Sequence, residues 1–228
     1  MKEHKINLDG LTVCIGMPAY SDLDPRVVRS LFDTQLLCLK HRIICELAMV
    51  IGNSCPTWAR DEVLDLFLQT DANRLFCIDS DIVWEPDSFL RLLALSTKRK
   101  IVCGSYVAKK DQPTFFIRYD ENKTIEADEY GLLEIDGLGL GFTVLDREVV
   151  ENITSKSEKV YDEVQKKSIP AIFRRGRDDG KRKGEDMAFF EDLQKLGYKI
   201  YIDPSIELGH IGRKIYTGKI MDLLYKEE

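Results

Sequence analysis

The sequence predicts an α/β fold in which helices flank a central, mostly parallel sheet. Short apolar runs typical of buried strands alternate three times with segments whose apolar residues recur at helical spacing. Each of these helical segments opens with a proline, a residue favoured at the first helical position. Strands and helices that alternate in this way form parallel strands joined by crossover helices.

Composition sets the class of protein. The 228 residues suffice for one large domain with a real core, and a hydrophobic content of 44% is globular rather than disordered. The net charge of −6 argues against a protein that coats nucleic acid over its whole surface. No apolar run approaches the ~20 residues that span a bilayer, and the charged residues 1–10 lack a signal-peptide core. We therefore expect a cytoplasmic protein without a membrane span.

The cysteines indicate a reduced protein. They are scattered, most lie in apolar runs, and no pair has C-x-x-C spacing. Buried, unpaired thiols in a cytosolic protein explain this pattern most simply. The six are Cys14, Cys38, Cys45, Cys55, Cys77 and Cys103.

The first half of the chain contains the alternating elements. Its predicted strands cover residues 11–17, 46–52, 75–83 and 101–106. Its predicted helices begin at Pro25, Pro56 and Pro86, and Asp24 can cap the first of them. The apolar positions of that first helix are Val28, Leu31, Phe32, Leu36 and Leu39.

The apolar stretch Leu75 to Val83 is interrupted by Asp79 and Asp81, at or just past the end of the predicted strand. Open α/β sheets bind their ligands at that edge. Residues i and i+2 of a strand point to the same side, so the two carboxylates are expected to converge on one object. A divalent cation bridged to phosphate oxygens would relieve their repulsion. An exposed strand end rich in turn formers explains a bare D-x-D equally well.

The second half of the chain has a different pattern. Strands are predicted at 114–119 and 132–135, and glycine then occupies every second position from Gly137 to Gly141. Glycines at this spacing permit close approach either of a ligand or of a neighbouring strand. A short helix is predicted from Arg147, whereas residues 154–168 carry no clear pattern.

A basic segment, residues 173–183, is predicted to be a loop with six basic residues. It is either a solvated mobile loop or a lid that closes over phosphates or an anionic acceptor. A helix follows Gly184, with Glu185 and Asp186 in its first turn, where acids suit the helix dipole. A strand at 198–202, the isolated His210 and a helix over 214–228 complete the prediction.

Together these motifs resemble the nucleotide-sugar glycosyltransferases of the GT-A fold, close to the family 2 type. The resemblance covers roughly residues 10–213 and rests on the order of several motifs. They are the strand and loop 14–20, the D-x-D at 79–81, the glycine segment 137–142, the acidic pair at 185–186 and His210. The Q-x-x-R-W motif of processive synthases is absent, so the chain resembles compact phage-type and bacterial transferases.

The resemblance implies a GT-A (Rossmann-like) sandwich, with a smaller antiparallel part in the C-terminal half. It implies a single domain over 1–228. Residues of about 10–106 would form the nucleotide-binding half and about 107–213 the acceptor-binding and catalytic half, followed by the helix at 214–228.

The resemblance also implies roles for individual residues. Asp81 and His210, with Asp79 as a further ligand, would hold Mn²⁺ or Mg²⁺ against the diphosphate. Asp186 would be the catalytic base, and Glu185 would hold the acceptor or cap the helix. Arg60 would approach the diphosphate, and Asp79 would also face the ribose or the sugar. The other donor-binding residues would be Pro18, Ala19, Tyr20, Asp22, Asn53, Ser80, Gly139 and Arg175.

The leading hypothesis is therefore an enzyme that moves a sugar from a UDP- or GDP-sugar to an acceptor hydroxyl. A nucleotidyltransferase usually has a glycine- and lysine-rich loop after its first strand, where this chain has Pro18-Ala19-Tyr20. A non-catalytic nucleotide- or carbohydrate-binding module would not need Asp81, Asp186 and His210 in one pocket. The acceptor is a saccharide, a protein or a hydroxymethylated base in DNA. The acidic net charge disfavours DNA, whereas the basic segment keeps it open.

Overall fold

A computed structural model describes residues 8–120, 122, 124–163, 165–174, 176–178, 181–212 and 214–224. The helices are α1 (Pro25–Lys40), α2 (Pro56–Leu68), α3 (Pro86–Leu95), α4 (Arg147–Ser155), α5 (Glu185–Lys195) and α6 (Met221–Leu224). The first seven strands are β1 (Thr12–Ala19), β2 (Ile44–Ile51), β3 (Arg74–Ile78), β4 (Ile82–Val83), β5 (Ile101–Gly104), β6 (Leu133–Ile135) and β7 (Phe142–Asp146). The others are β8 (Glu158–Asp162), β9 (Lys167–Ala171), β10 (Gly176–Asp178), β11 (Lys181–Lys183), β12 (Ile200–Asp203), β13 (Leu208–Ile211) and β14 (Ile215–Gly218).

The central sheet has seven strands in the order β2-β1-β3-β7-β5-β12-β6. Strands β2, β1, β3, β5 and β12 run in one direction, whereas β7 and β6 run against them. The predicted mostly parallel sheet is therefore confirmed. Strand β7 is inserted between β3 and β5 and pairs antiparallel with both.

Helices cover both faces of the sheet, and each face has its own core. Phe67 of α2 and Phe190 of α5 are fully buried on one face. Val27 of α1 and Phe89 of α3 are fully buried on the other, where Phe89 stacks on Phe76 of β3 at 4.3 Å between ring centroids. These two layers bring the loops after the parallel strands to one edge of the sheet.

The smaller antiparallel part is also confirmed. Strand β13 lies between β14 and β4, and this pairing sets His210 opposite Ile82. Strands β8 and β9 form a second antiparallel pair. The predicted basic loop contains a hairpin instead, because Gly176 to Asp178 pair with Lys181 to Lys183.

Two strand predictions are corrected by the structure: one strand is longer than predicted, and another does not form. Strand β1 continues through Pro18 and Ala19, which pair with Val50 and Ile51 rather than forming a loop. Proline is tolerated there because β3 pairs with β1 only as far as Gly16, which leaves the end of β1 with one neighbouring strand. Residues 114–119 form no regular strand in the described chain and contribute isolated bridges at 115 and 118.

The predicted C-terminal helix over 214–228 is wrong in its first part. Residues Ile215 to Gly218 form β14, where the β-branched Ile215 and Thr217 suit pairing with β13. Helix α6 occupies four residues, and 225–228 lie outside the described residues.

The side of helix α1 that packs on the core consists mostly of small and polar residues. Its buried residues are Val27, Ser30, Thr34 and Cys38. Two of them bind Trp84: the indole Nε1–H donates to Thr34 Oγ1 at 2.8 Å, and Ser30 Oγ donates to the Trp84 carbonyl at 2.7 Å. Larger apolar side chains that recur at helical spacing instead face solvent, with Phe32 68% and Leu36 63% exposed.

The structure adds two general findings. None of the six cysteines, all of which lie in the described part of the chain, forms a disulfide bond, and Cys14, Cys38, Cys77 and Cys103 are buried. None of the described helices combines the length and apolar character that crossing a bilayer requires.

Candidate active site

The two aspartates of the D-x-D motif lie in a tight turn between β3 and β4. The Ile82 N–H donates to the Asp79 carbonyl at 3.1 Å, and the Asp79 N–H donates to the Gly141 carbonyl at 3.0 Å. The rule that alternate residues share one side holds for an extended strand and not for a turn. The two carboxylates consequently have different partners, whereas the sequence predicted that they would converge on one object.

Two side chains contact the carboxylate of Asp79. Arg60 Nη2 lies 3.0 Å from Asp79 Oδ1, and the Tyr106 hydroxyl donates to Asp79 Oδ2 at 3.5 Å. A Cβ at Gly141 would meet Asp79 Oδ2 at 2.4 Å, and one at Gly139 would meet Tyr106 Oη at 2.3 Å. The alternating glycines thus make room for the side chains of Asp79 and Tyr106.

Arg60 joins Asp79 to Asp186. Its guanidinium is almost fully buried, lies 3.3 Å from Asp186 Oδ1, and sits 5.9 Å from the centre of the Phe173 ring. Burial disfavours the charged form of Arg60, but the two carboxylates outweigh burial and raise its pKa. The resemblance implied that Arg60 would approach the diphosphate, and the sequence did not reveal that it bridges two acids.

Asp186 stands in the first turn of α5, which Gly184 precedes as N-cap residue and which the buried Phe189 and Phe190 anchor to the core. The pKa of Asp186 is raised to about 6: burial is the main cause, Asp79 and Glu185 add to the rise, and Arg60 and a backbone hydrogen bond from Leu140 oppose it. A carboxylate that titrates near neutrality is suited to accept a proton from a hydroxyl.

Asp81 belongs to a second cluster of charges. Lys109 Nζ lies 2.6 Å and His210 Nε2 3.3 Å from Asp81 Oδ2. Burial opposes ionisation of Asp81, but the hydrogen bonds and charges of His210 and Lys109 prevail and lower its pKa to about 2. The Ile211 N–H donates to the Asp81 carbonyl at 2.8 Å, so β13 and the turn are fixed to each other.

The donor chemistry of this cluster fits a divalent cation in part. His210 Nδ1 lies 2.8 Å from the Val107 carbonyl, which assigns the proton to Nδ1 and leaves Nε2 facing Asp81. Metal-binding histidines use such a backbone carbonyl to fix the ring. Among the described residues no cluster of three or more His, Cys, Asp or Glu side chains is arranged to hold a metal. Asp81 and His210 would therefore supply two ligands, and phosphate oxygens and water the others.

One cavity of about 460 Å³ is lined by members of both clusters, although Arg60, Asp79 and Asp81 are not among its lining residues. Its lining includes Asp186, His210, Gly139, Tyr106 and Lys109. The sequence singled out the first three. It missed Tyr106 and Lys109, because a tyrosine and a lysine after an apolar strand form no recognisable motif.

A larger cavity of about 720 Å³ lies at the end of β2. Asn53 lines it and holds its amide in place, donating to Glu62 Oε1 at 2.6 Å and accepting from the Cys55 N–H at 3.0 Å. The exposed Trp58 and Tyr161 also line it. Lysine and arginine are absent from its described lining residues.

Asp61 forms the floor of this larger cavity. Burial raises the pKa of Asp61 to about 6, and its carboxylate accepts the backbone N–H groups of Ile172 and Phe173 at 2.8 and 3.0 Å. Phe173 also lines the cavity, so the cavity extends to the vicinity of Arg60.

The remaining predicted residues lie around the same edge of the sheet. The Ala19 carbonyl accepts the Gly52 N–H at 3.0 Å, which joins the end of β1 to the larger cavity, and Tyr20 and Asp22 follow on the exposed surface. Ser80 lies within the D-x-D turn. Arg175 is outside the described residues. The neighbouring Arg174 donates to Asp192 of α5 at 3.0 Å.

Comparisons with known proteins bear on the fold. No family model matches the chain, and no curated protein matches it in sequence. The solved structure of A197 from STIV is 22% identical, with a TM-score of 0.57 over 89% of this chain and 86% of that chain. The structure of GalNAc-T7 with UDP, GalNAc and Mn²⁺ is 10% identical, with a TM-score of 0.55 over 91% of this chain and 45% of that chain. These similarities support a GT-A-like fold.

Proposed function

We propose that this protein is a metal-dependent glycosyltransferase of the family 2 type, which moves a sugar from a nucleoside-diphosphate sugar to an acceptor hydroxyl. One observation carries the proposal: a single cavity is lined both by Asp186, whose pKa is near 6, and by His210, which contacts Asp81. Transfer from a diphosphate donor requires a proton acceptor close to cation ligands, and here Asp186 and His210 line one cavity while Asp81 contacts His210. The GT-A-like fold it shares with GalNAc-T7, which was solved with UDP and Mn²⁺, supports the same chemistry.

The two cavities suggest which part of the donor each of them binds. The larger one has exposed aromatic side chains, Trp58 and Tyr161. The charged residues of its lining are acidic and would repel phosphate. It therefore suits a neutral nucleobase, which stacks well on aromatic rings. The diphosphate would lie towards Lys109, the positive charge in the smaller cavity, and the sugar towards Gly139 and Asp186.

The residues of the smaller cavity have separate tasks in this mechanism. Asp186 takes the proton of the acceptor hydroxyl as its oxygen attacks the anomeric carbon and the bond to the diphosphate breaks. Arg60 holds the carboxylates of Asp186 and Asp79 in position. Asp81 and His210 would hold Mn²⁺ or Mg²⁺, which when bound supplies Lewis-acid stabilisation to the leaving diphosphate. Lys109 adds a positive charge beside it.

The alternative classes explain the site less well. A nucleotidyltransferase would have a glycine- and lysine-rich loop where Pro18 and Ala19 continue β1. A binding module has no need of a buried carboxylate with a raised pKa, because such a group destabilises the fold when it is ionised.

A donor screen tests the proposal. The protein is incubated with UDP- and GDP-sugars, with and without Mn²⁺, and the released nucleoside diphosphate is measured. We expect metal-dependent release with one donor and a loss of about 10²–10⁴-fold in Asp186→Asn. Asp192→Asn, a change on the surface of the same helix, is the matched control and should retain release. Release that persists in excess EDTA, or at a normal rate in Asp186→Asn, would contradict the proposal.

A further inference from the structure

The outer surface of α1 is apolar. Phe32, Leu36 and Leu39 lie three or four positions apart, so they form one stripe along the helix, and each is more than 60% exposed. The core-facing side of the same helix is instead made of Val27 and small or polar residues. A helix of a globular protein normally shows the opposite arrangement, so the stripe indicates a second surface that is buried against something else.

Strand β2 extends this surface. It is the edge of the central sheet, and its eight residues pair with β1 without interruption. Cys45 and Met49 of β2 pack into the core on the α1 face. Leu47 and Ile51 are each two positions from one of these residues, so their side chains lie on the same face of the strand, where both are exposed.

The free side of β2 lacks the features that keep edge strands apart. Proteins protect such edges with proline, lysine, bulges or a covering element. Strand β2 has none of the first three, and its one charged residue is Glu46. A regular apolar edge of this length is a template for another strand, because its outward N–H and C=O groups have no strand partner in the described chain.

We propose that α1 and β2 form a two-fold interface with a second copy of this chain. Antiparallel pairing of β2 with the β2 of the second copy would satisfy the edge groups, and the α1 stripes would pack beside it. A two-fold contact uses the same patch on both subunits and needs no other protein. Thirteen residues of α1 and β2 are exposed, fewer than the 20–30 residues that a standard interface contributes per side, so the paired edge backbone of β2 must add to the contact.

A membrane surface would be the other natural cover for an apolar helix. It explains the α1 stripe but not the edge strand, because lipid supplies no row of hydrogen-bonding groups for β2. A second strand explains both parts of the surface.

Sedimentation velocity over a range of concentrations tests the interface. We expect a species of twice the 26.2 kDa chain mass. Leu36→Glu in α1 and Leu47→Lys in β2 should each raise the dissociation constant by about 100-fold or more, since each dimer loses two buried apolar contacts. Tyr119→Glu, a change at an exposed aromatic outside the patch, is the control and should leave the dimer intact.

Three outcomes would overturn the proposal. The first is a monomer at all concentrations up to about 100 µM, a range in which a specific two-fold contact is occupied. The second is a dimer that both patch variants leave unchanged while circular dichroism shows them folded. The third is a monomer that co-sediments with vesicles of phosphatidylcholine and phosphatidylserine in a Leu36-dependent manner, which would assign the stripe to a membrane.

Discussion

The guanidinium of Arg60 lies 3.3 Å from a carboxylate oxygen of Asp186, and both groups are largely buried. Within the described chain, Asp186 Oδ1 and Arg60 Nε have no hydrogen-bond partner, so charge rather than a directional hydrogen bond holds the pair. Arg60 also contacts Asp79 at 3.0 Å. One cation therefore serves the turn after β3 and the first turn of α5, and five predictions concern this cluster and its neighbours.

Replacing Arg60 should destabilise the protein strongly. In Arg60→Met the two carboxylates lose their cation while they remain buried, and breaking a buried pair in this way typically costs about 3–5 kcal/mol. The free energy of unfolding from urea titration measures the loss. Lys199→Met removes an exposed pair with Glu134 and should leave that free energy nearly unchanged. If both variants behave alike, Arg60 does not hold the cluster together.

Asp186 should make stability depend on pH. Its pKa is raised from 3.8 to about 6, so its contribution is favourable at low pH and is lost as the pH rises through 6. Asp186→Asn removes the ionised form, and we expect it to be more stable than the wild type by up to about 3 kcal/mol near pH 8. The two unfolding free energies should converge near pH 4. A variant less stable than the wild type at pH 8 would show that the ionised carboxylate is well stabilised.

The same group should shape the activity profile. A base must be deprotonated to act, so log kcat/KM should rise with pH and level off above about 6. Arg60→Lys keeps a positive charge but loses the planar guanidinium, which can contact two carboxylates at once. Because the Asp186 anion is then less stabilised, we expect the rise in log kcat/KM to move to higher pH. Stopped assays at saturating metal and subsaturating donor measure the profile. A rise at the same pH in both proteins would exclude an effect of Arg60 on Asp186.

Gly141 should be intolerant of a side chain. A Cβ there would lie 2.4 Å from Asp79 Oδ2, so Gly141→Ala must displace Asp79 from Arg60. We expect a loss of about 1–3 kcal/mol in unfolding free energy and weaker donor binding by calorimetry. Gly184→Ala is the control for stability, because its Cβ would meet nothing within 4 Å and the loss of a glycine N-cap should cost only about 0.5–1 kcal/mol.

Lys109 should compete with a divalent cation for Asp81. Its ammonium lies 2.6 Å from Asp81 Oδ2, the oxygen that also faces His210. We expect Lys109→Met to tighten Mn²⁺ binding by roughly fivefold, the equivalent of ~1 kcal/mol for a half-exposed pair, and Asp81→Asn to abolish it. Paramagnetic resonance of free Mn²⁺ measures both. Lys110→Met is the neighbouring control. Unchanged binding in Asp81→Asn would place any metal site elsewhere.

The sequence predicted the strands and helices of the first half because local patterns determine them. Proline at the helix starts and apolar runs before Asn53 and Asp79 need no knowledge of distant residues. The position of β7 between β3 and β5 could not be predicted, because strand order depends on pairing over long separations. Which face of helix α1 packs on the core could not be predicted, since periodicity identifies an apolar face and not what covers it.

The candidate site was predictable to the extent that its residues belong to motifs. Asp186, His210 and Gly139 come together in one cavity as the motifs suggested. The divergence of Asp79 and Asp81 was missed, because a turn replaces the expected extended geometry. The partners Tyr106 and Lys109 carry no local signal.

The insertion of β7 also bears on how the protein folds during synthesis. Strand β3 ends at residue 78 and β5 at residue 104, yet the strand that joins them spans Phe142–Asp146. Both flanking strands must therefore wait, with open edges, until the ribosome has released some 40 further residues beyond β5. Long-range pairing of this kind slows folding. In the interval between the release of β5 and that of β7, both flanking strands leave an edge open to aggregation, which chaperones would have to cover.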